Sequence, residues 1–187
     1  MINYKDALGE ILIPEDKLQE RVAQMGAEIS RDYQNSTGLL LICILRGGIM
    51  FLADLVRHIS VPHAVDFMAI SSYGIGNRES AGVARITMDL NTDIHGRDVL
   101  IIEDIIDSGH TIASVLELLS TRKPASLHVC TLLDKEDRRE VDVPIRYRGF
   151  SIPNKFVFGY GLDLDEYYRN LPFIGVVDLK KYHAKIK

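Results

Sequence analysis

The sequence predicts an α/β fold with a doubly wound, mostly parallel sheet, and two observations lead to that class. Continuous apolar runs, such as Leu39–Leu45 and Val99–Ile102, are typical of strands that are covered on both faces. Segments with the apolar spacing of helices alternate with these runs along the chain. Such sheets bind ligands beyond the carboxyl ends of their strands, so the residues that follow each run form the candidate site.

The individual elements follow from periodicity and from turn residues. The first helix is predicted over residues 14–33, because apolar residues recur there at spacings of three and four: Leu18, Val22, Met25, Ile29 and Tyr33. Two further helices are predicted at 49–59 and 111–119. Strands are predicted at 39–45, 64–70, 86–90, 99–102, 127–133, 156–160 and 174–177. Residues 71–82 (SSYGIGNRESAG) are small and polar, which predicts a mobile loop.

Length, charge and cysteine content limit the class of protein. At 187 residues the chain is predicted to be one domain, residues 1–187. A net charge of −4 without a basic run argues against nucleic acid or an anionic membrane as a partner. No apolar run reaches the roughly 18 residues of a membrane span, and MINYKDALGE does not read as a signal peptide. We therefore expect a cytoplasmic protein in which Cys43 and Cys130 are buried free thiols, rather than a disulfide or a reactive thiol.

The segment VLIIEDIIDSGHT, residues 99–111, carries the most chemistry in the chain. Glu103 and Asp104 are expected where a strand ends, and Asp107 precedes small residues that open a helix. The free N–H groups of a helix start bind anions, and acids beside a phosphate indicate Mg²⁺. The spacing matches neither Walker A nor G-x-G-x-x-G. Taken singly, Asp107 or Ser108 could be only a helix N-cap.

This segment resembles the ribose-phosphate signature of type I phosphoribosyltransferases. Five more segments extend the resemblance, to the bacterial hypoxanthine(-guanine) phosphoribosyltransferases, over nearly the whole chain: LLLICILRGGIMF, AVDFMAISSYG, HVCTLLDKEDRR, GFSIPNKFVFGYGLD and DEYYRNLPFIG. The resemblance implies the type I phosphoribosyltransferase fold, with a small hood and a flexible lid loop. It also implies an Mg²⁺-dependent enzyme of purine salvage. That enzyme would transfer ribose 5-phosphate from phosphoribosyl pyrophosphate to N9 of hypoxanthine and release pyrophosphate.

The resemblance also implies which residues bind the ribose phosphate and the metal. The 5-phosphate and ribose would be bound within one segment, by Glu103, Asp104, Asp107, Ser108, Gly109, His110 and Thr111. Asp107 would be the catalytic proton-transfer residue at N7 of the purine, and a nearby phosphate should raise its pKa. The Mg²⁺ site would involve three acids: Glu103, Asp104 and Asp163.

The pyrophosphate and the purine would be bound by residues from other segments. The resemblance implies a cis peptide before Arg46 and a pyrophosphate site made by Arg46, Gly47 and Arg169. The purine would be bound by Lys135, Phe156, Val157 and Asp163. An ammonium group has only donors, so Lys135 at O6 favours a 6-oxopurine over adenine. Alone, Lys135 could be a solvated charge and Phe156 a core residue.

Ser72 and Tyr73 match the lid, whose closure would keep water away from the reacting centre. The family also implies a homodimer or a homotetramer, and the sequence does not locate the interface.

Two alternatives stay open. A non-catalytic sensor of phosphoribosyl pyrophosphate would need a helix-turn-helix extension or a basic face. Guanine or xanthine could replace hypoxanthine, because main-chain carbonyls largely recognise the 2-position edge.

Overall fold

The computed structural model describes residues 3–72 and 84–186, which form five α-helices and nine strands. In chain order these are α1 (Tyr4–Ala7), β1 (Leu8–Ile13), α2 (Glu15–Asp32), β2 (Leu39–Leu45), α3 (Ile49–His58), β3 (His63–Ser72), β4 (Ala84–Met88), β5 (Asp98–Ile106), α4 (His110–Ser120), β6 (Ser126–Asp134), β7 (Ile145–Ser151), β8 (Val157–Phe158), β9 (Ile174–Val177) and α5 (Leu179–Ile186). A short 3₁₀ turn, Glu136–Arg138, follows β6. None of the described helices is long and apolar enough to cross a membrane.

The centre of the fold is a six-stranded sheet with the order β4-β3-β2-β5-β6-β7. Five of its strands run parallel, and β4 pairs antiparallel with β3 at one edge. Alternate residues of β2 enter different cores. Leu39, Leu41 and Cys43 pack with α2 and α3, whereas Leu40, Ile42 and Ile44 pack with α4. Helices therefore cover both faces, and the predicted doubly wound, mostly parallel sheet is confirmed.

Helix α2 forms where its apolar stripe predicted it. Pro14 is its N-cap residue and Tyr33 its C-cap, and the stripe of Leu18, Val22, Met25 and Ile29 is fully buried. Gly26 lies where α2 comes closest to α3. A Cβ atom at this position would lie 2.4 Å from the Cβ of His58, so only glycine allows this approach.

A second sheet, of three antiparallel strands in the order β1-β9-β8, forms the small hood beside the main sheet. The sequence predicted β8 as residues 156–160, and this boundary was wrong. The chain leaves the extended region after Phe158, because Gly159, Tyr160 and Gly161 all have positive φ angles, of 96°, 48° and 101°. Strands β1 and β7 and helices α1 and α5 had no sequence prediction.

The strand that carries the acids is longer than predicted. β5 extends to Ile106, because it continues to pair with β6 up to Ile106 and Asp134. Glu103 and Asp104 therefore lie inside β5, whereas the sequence predicts them at the end of the strand. Both cysteines are buried and free, as predicted, and burial raises the pKa of Cys43 to about 12.

Candidate active site

The two acids of β5 are buried at the carboxyl-terminal edge of the main sheet. Asp104 is only 7% exposed, and Oε2 of Glu103 is buried without a hydrogen-bond partner among the described residues. Burial raises the pKa of Glu103 well above its usual value, and the charge of Asp104 raises it further. Burial also raises the pKa of Asp104. Burial therefore disfavours the charged forms of both acids, and a bound cation would offset this penalty.

The loop after β2 lies directly on these acids. A Cβ atom at Gly47 would lie 1.6 Å from Oδ2 of Asp104, so the loop backbone contacts the carboxyl group. On its other side, a Cβ atom at Gly161 would lie 2.0 Å from the carbonyl oxygen of Gly47. The peptide between Leu45 and Arg46 is cis, as the resemblance implied. The structure thus brings together three segments that are distant along the chain: the acids of β5, the loop after β2 and the turn at Gly161.

Residues 107–111, which we call the phosphate turn, open helix α4. Gly109 is the N-cap with φ of 93°, and no side chain caps the helix, so its first N–H groups are free to bind an anion. An open cavity of about 150 Å³ lies against this turn and is lined by Glu103, Ile105, Ile106, Asp107, Ser108, Gly109, Thr111 and Ile112. The side chain of His110 points elsewhere. Its Nε2 lies 3.0 Å from Oε2 of Glu140, and His110 does not line the cavity.

Asp107 forms ion pairs with two cations. Nζ of Lys135 donates to Oδ2 of Asp107 over 2.9 Å, and Nε of Arg138 donates to Oδ1 over 3.1 Å. Partial burial opposes ionisation of Asp107, but these two cations outweigh it and hold the pKa of Asp107 below its usual value. The lowered pKa of Asp107 thus comes from the two cations, and the rise that a bound phosphate should cause stays a prediction.

The residues proposed for the purine differ in their exposure to solvent. Lys135 is only 7% exposed, which excludes the alternative that it is a solvated surface charge. Phe156 is 51% exposed, so its ring is accessible for stacking and is not a core residue. Val157 is buried in β8, and its neighbour Phe156 accepts from the backbone N–H of Val177 over 2.8 Å.

The two arginines proposed for pyrophosphate meet at one carboxylate. Oε2 of Glu166 accepts from Nη1 of Arg46 over 2.7 Å and from Nη2 of Arg169 over 3.5 Å. Arg169 also donates to the carbonyl of Gly161 over 2.9 Å and lies 2.9 Å from Oδ1 of Asp163. Glu166 therefore occupies an anion position between the two arginines.

The residues present fit a hard divalent cation such as Mg²⁺. Glu103 and Asp104 supply only oxygen atoms, and one of these is buried without a partner. A bound cation would favour the charged forms that burial disfavours. However, the described residues include no group of three His, Cys, Asp or Glu that could hold a metal. The carboxylate of Asp163, the third acid proposed for the metal, pairs with Arg169, and its role at the metal stays a prediction. The chain thus offers a two-carboxylate site that substrate oxygens can complete.

The sequence does not predict several residues of this region. One residue that it does predict, Tyr73, lies outside the described part of the chain. Arg138, Glu140 and Glu166 were not predicted, and each is recognised only through its partner in space. A weak signal existed for Glu166, which lies three residues before Arg169. The predicted lid falls at the end of β3. Ser72 is the last residue of that strand, and Tyr73 lies outside the described residues.

Comparisons with known proteins agree with this geometry. The model of the phosphoribosyl transferase domain family matches residues 14–165. The hypoxanthine phosphoribosyltransferase of Salmonella typhimurium is 52% identical over 171 residues, which cover 91% of this chain and 96% of that protein. The hypoxanthine-guanine phosphoribosyltransferase of Mycobacterium tuberculosis is 48% identical over 184 residues, covering 96% of this chain and 91% of that protein.

Solved structures give the same result. A hypoxanthine phosphoribosyltransferase from Staphylococcus aureus superposes with a TM-score of 0.90 at 44% identity, and 96% of each chain is covered. One from Trypanosoma cruzi superposes with a TM-score of 0.91 at 36% identity, covering 100% of this chain and 99% of the other. The chain therefore belongs to the phosphoribosyltransferase family, in the group of the hypoxanthine and hypoxanthine-guanine phosphoribosyltransferases.

Proposed function

We propose that the protein is a hypoxanthine phosphoribosyltransferase of purine salvage. It transfers the 5-phosphoribosyl group from phosphoribosyl pyrophosphate to N9 of hypoxanthine, with guanine as a second base, and releases pyrophosphate. The observation that carries this proposal is the partly buried contact of Lys135 with Asp107, which lines the cavity of the phosphate turn. One site thus combines a cation for a 6-oxo group, a carboxylate for proton transfer and a helix start for a phosphate.

The phosphate turn binds the 5-phosphate of the substrate. Its free backbone N–H groups and the hydroxyl groups of Ser108 and Thr111 are the donors. Gly109, which adopts a conformation that L side chains rarely adopt, brings the backbone close to the ligand. Glu103 and Asp104 lie below the ribose hydroxyl groups.

The purine is bound by Lys135, which directly follows β6, and by residues near the hood strand β8. Lys135 donates to O6, Phe156 stacks on the ring, and the backbone carbonyl of Val157 accepts from the N1–H edge. Asp163 lies at the 2-position edge. Asp107 exchanges the proton of N7 during transfer, and its two cations keep it ionised before the base binds. These contacts leave the 6-amino group of adenine without an acceptor.

Pyrophosphate is bound by the backbone of Gly47 and by the guanidinium groups of Arg46 and Arg169. Mg²⁺, held by Glu103 and Asp104, would neutralise the charge of the pyrophosphate group as it leaves. Arg169 reaches the ligand once Glu166 releases it, because both arginines pair with that carboxylate in the ligand-free protein. Catalysis then consists mainly of positioning and of charge compensation.

Residues 1–187 act as one catalytic domain in the cytoplasm, as a homodimer or a homotetramer. The lid that includes Ser72 and Tyr73 closes over the substrates and excludes water. In the similar hypoxanthine phosphoribosyltransferase of Trypanosoma cruzi, the C-terminal region has been examined for its role in oligomeric state and enzymatic activity. Analytical ultracentrifugation of this protein measures its own oligomeric state.

The test is a product assay with purified protein, phosphoribosyl pyrophosphate, hypoxanthine and Mg²⁺. We expect IMP and pyrophosphate in equal amounts, and complete loss of turnover when a chelator removes the metal. Activity that is insensitive to the chelator would contradict the metal assignment. Binding of phosphoribosyl pyrophosphate without turnover of any base would favour the non-catalytic sensor.

A further inference from the structure

Asp134, the last residue of β6, is a fully buried acid next to Lys135. Its Oδ1 accepts a hydrogen bond from Nη2 of Arg139, and its Oδ2 lies 2.9 Å from Nε of Arg148. Burial raises the pKa of Asp134, whereas the charges of the two arginines oppose that rise. A buried carboxylate is strongly unfavourable without a paired cation, so Asp134 and its arginines fix one another's positions.

The segment that carries Arg139 wraps around the phosphate turn. We call residues 135–141 the brace. Its two ends bind the chain on either side of Asp107. The backbone N–H of Lys135 donates to the carbonyl of Ile106 over 2.9 Å. At the other end, the N–H groups of Glu140 and Val141 donate to the carbonyl of Ser108 over 2.9 and 3.2 Å. The geometry of the brace therefore determines the geometry of the turn.

The side chain of Arg139 connects the buried acid to the turn. Its Cδ would lie 3.1 Å from a Cβ atom placed at Gly109, and the carbonyl of Val141 would lie 2.8 Å from that atom. The aliphatic stem of Arg139 thus packs beside Gly109, while its guanidinium group pairs with Asp134. The arginine side chain itself is only 16% exposed. The pair is consequently a rigid link between the end of β6 and the start of α4.

We propose that Asp134 and Arg139 are a positioning pair for the transfer reaction. The pair holds the brace so that Lys135 and the phosphate turn keep one fixed separation, and with it the distance between the purine and the ribose phosphate. It acts through Lys135 and Ser108 and not on the reacting atoms. This inference rests on the proposed function, because it assigns those two residues to the two substrates. Small displacements of positioned groups can cost as much as about 100-fold in rate.

Arg148 provides a matched control within the same ion-pair cluster. It contacts the same carboxylate from β7, at 2.9 Å, and its other contact is with Glu136. Arg148 itself lies outside the brace and the phosphate turn, but its partner Glu136 belongs to the brace. Glu136→Gln therefore serves as a second control, because it breaks this contact and leaves Asp134 with both of its arginines. Replacing Arg148 therefore removes one cation of Asp134 while the link through Arg139 remains.

The experiment compares Arg139→Ala, Arg139→Lys and Asp134→Asn, with Arg148→Ala and Glu136→Gln as the controls, against the wild type. It measures kcat and both KM values, together with thermal unfolding by circular dichroism. We expect Arg139→Ala and Asp134→Asn to lower kcat/KM for hypoxanthine by about 10- to 100-fold. Arg139→Lys should recover part of the loss, since lysine can still pair with Asp134. Arg148→Ala should stay within about twofold of wild type in kcat/KM, even where it lowers the unfolding temperature as much.

Two results would overturn the positioning role: Arg139→Ala and Asp134→Asn with wild-type kinetics, or an equal kinetic loss in Arg148→Ala. The second result would show a general effect of stability on activity. Should Arg139→Ala fail to fold, Asp134→Asn and Arg139→Lys still decide between these outcomes. A wild-type protein without turnover would overturn the proposed function itself, and the positioning role with it.

Discussion

Nζ of Lys135 lies 2.9 Å from Oδ2 of Asp107, and this hydrogen bond joins two residues with different proposed roles. Lys135 is the proposed donor to the purine, and Asp107 is the proposed proton-transfer residue. The ammonium group has three donors, so it can bind O6 of the base while it still holds the carboxylate. Binding of the base is therefore linked to the protonation state of Asp107.

Replacement of Lys135 by alanine tests this link. Loss of a charge-assisted hydrogen bond costs about 1.5–3 kcal/mol, so we expect KM for hypoxanthine to rise by about 10- to 150-fold. The affinity for phosphoribosyl pyrophosphate should change much less. Lys17→Ala is a suitable control, because Lys17 is exposed on α2 and pairs only locally with Glu20. Equal loss of affinity for both substrates would contradict a specific role at the base.

Asp107→Asn should remove proton transfer and keep the shape of the site. We expect kcat to fall by about 10²–10⁴-fold, whereas binding of phosphoribosyl pyrophosphate stays nearly unchanged. Asp137→Asn serves as the control, because Asp137 is an exposed aspartate of the neighbouring 3₁₀ turn. Single-turnover and binding measurements separate the two effects. Near wild-type turnover of Asp107→Asn would exclude Asp107 as the acid–base group.

The pH dependence of kcat/KM should respond to Arg138. The cations of Lys135 and Arg138 favour the charged form of Asp107 and so lower its pKa in the free enzyme. Removing one cation must raise that pKa, which moves the acid limb of kcat/KM to higher pH. We therefore expect Arg138→Ala to lose activity at a higher pH than wild type does as the solution is acidified. Profiles that superimpose after normalisation would contradict this role of Arg138.

Glu166 should compete with pyrophosphate for the two arginines. The Arg46–Glu166 pair is exposed, so the contact is worth at most about 1 kcal/mol. Glu166→Gln removes the competing charge, and we expect it to tighten binding of inorganic pyrophosphate by up to about fivefold at low salt. Calorimetric titration with pyrophosphate measures the change, and Glu20→Gln on α2 is the control. Weaker binding in Glu166→Gln would show instead that the carboxylate helps to arrange the arginines.

Most of the main sheet could be predicted because its strands carry their own signal. The β2 run is apolar at every position, and each residue enters one of the two cores, so neither face requires a polar residue. Strand β1 has no such run, since Gly9 and Glu10 interrupt it and most of its residues are not buried. Strand β7 alternates apolar residues with arginines, and its position at the sheet edge explains why it can do so.

The phosphate turn could be predicted because its residues are contiguous. Five neighbouring residues form one structural unit, so their composition reveals the site without the rest of the fold. The contacts of Lys135 and Glu166 could not be predicted in this way. Lys135 meets Asp107 because β5 and β6 pair in a register that places Ile106 beside Asp134. Glu166 meets Arg46 across 120 positions of the chain. Such contacts depend on the topology of the sheet and hood, which no local pattern contains.

The most direct test of the central claim is a steady-state comparison of hypoxanthine, guanine, xanthine and adenine. Each base is measured with saturating phosphoribosyl pyrophosphate and Mg²⁺. We expect turnover of hypoxanthine, and a kcat/KM for adenine that is lower by about 10⁴-fold, because Lys135 leaves the 6-amino group unpaired. Equal use of adenine, or no turnover of any of the four bases, would contradict the claim.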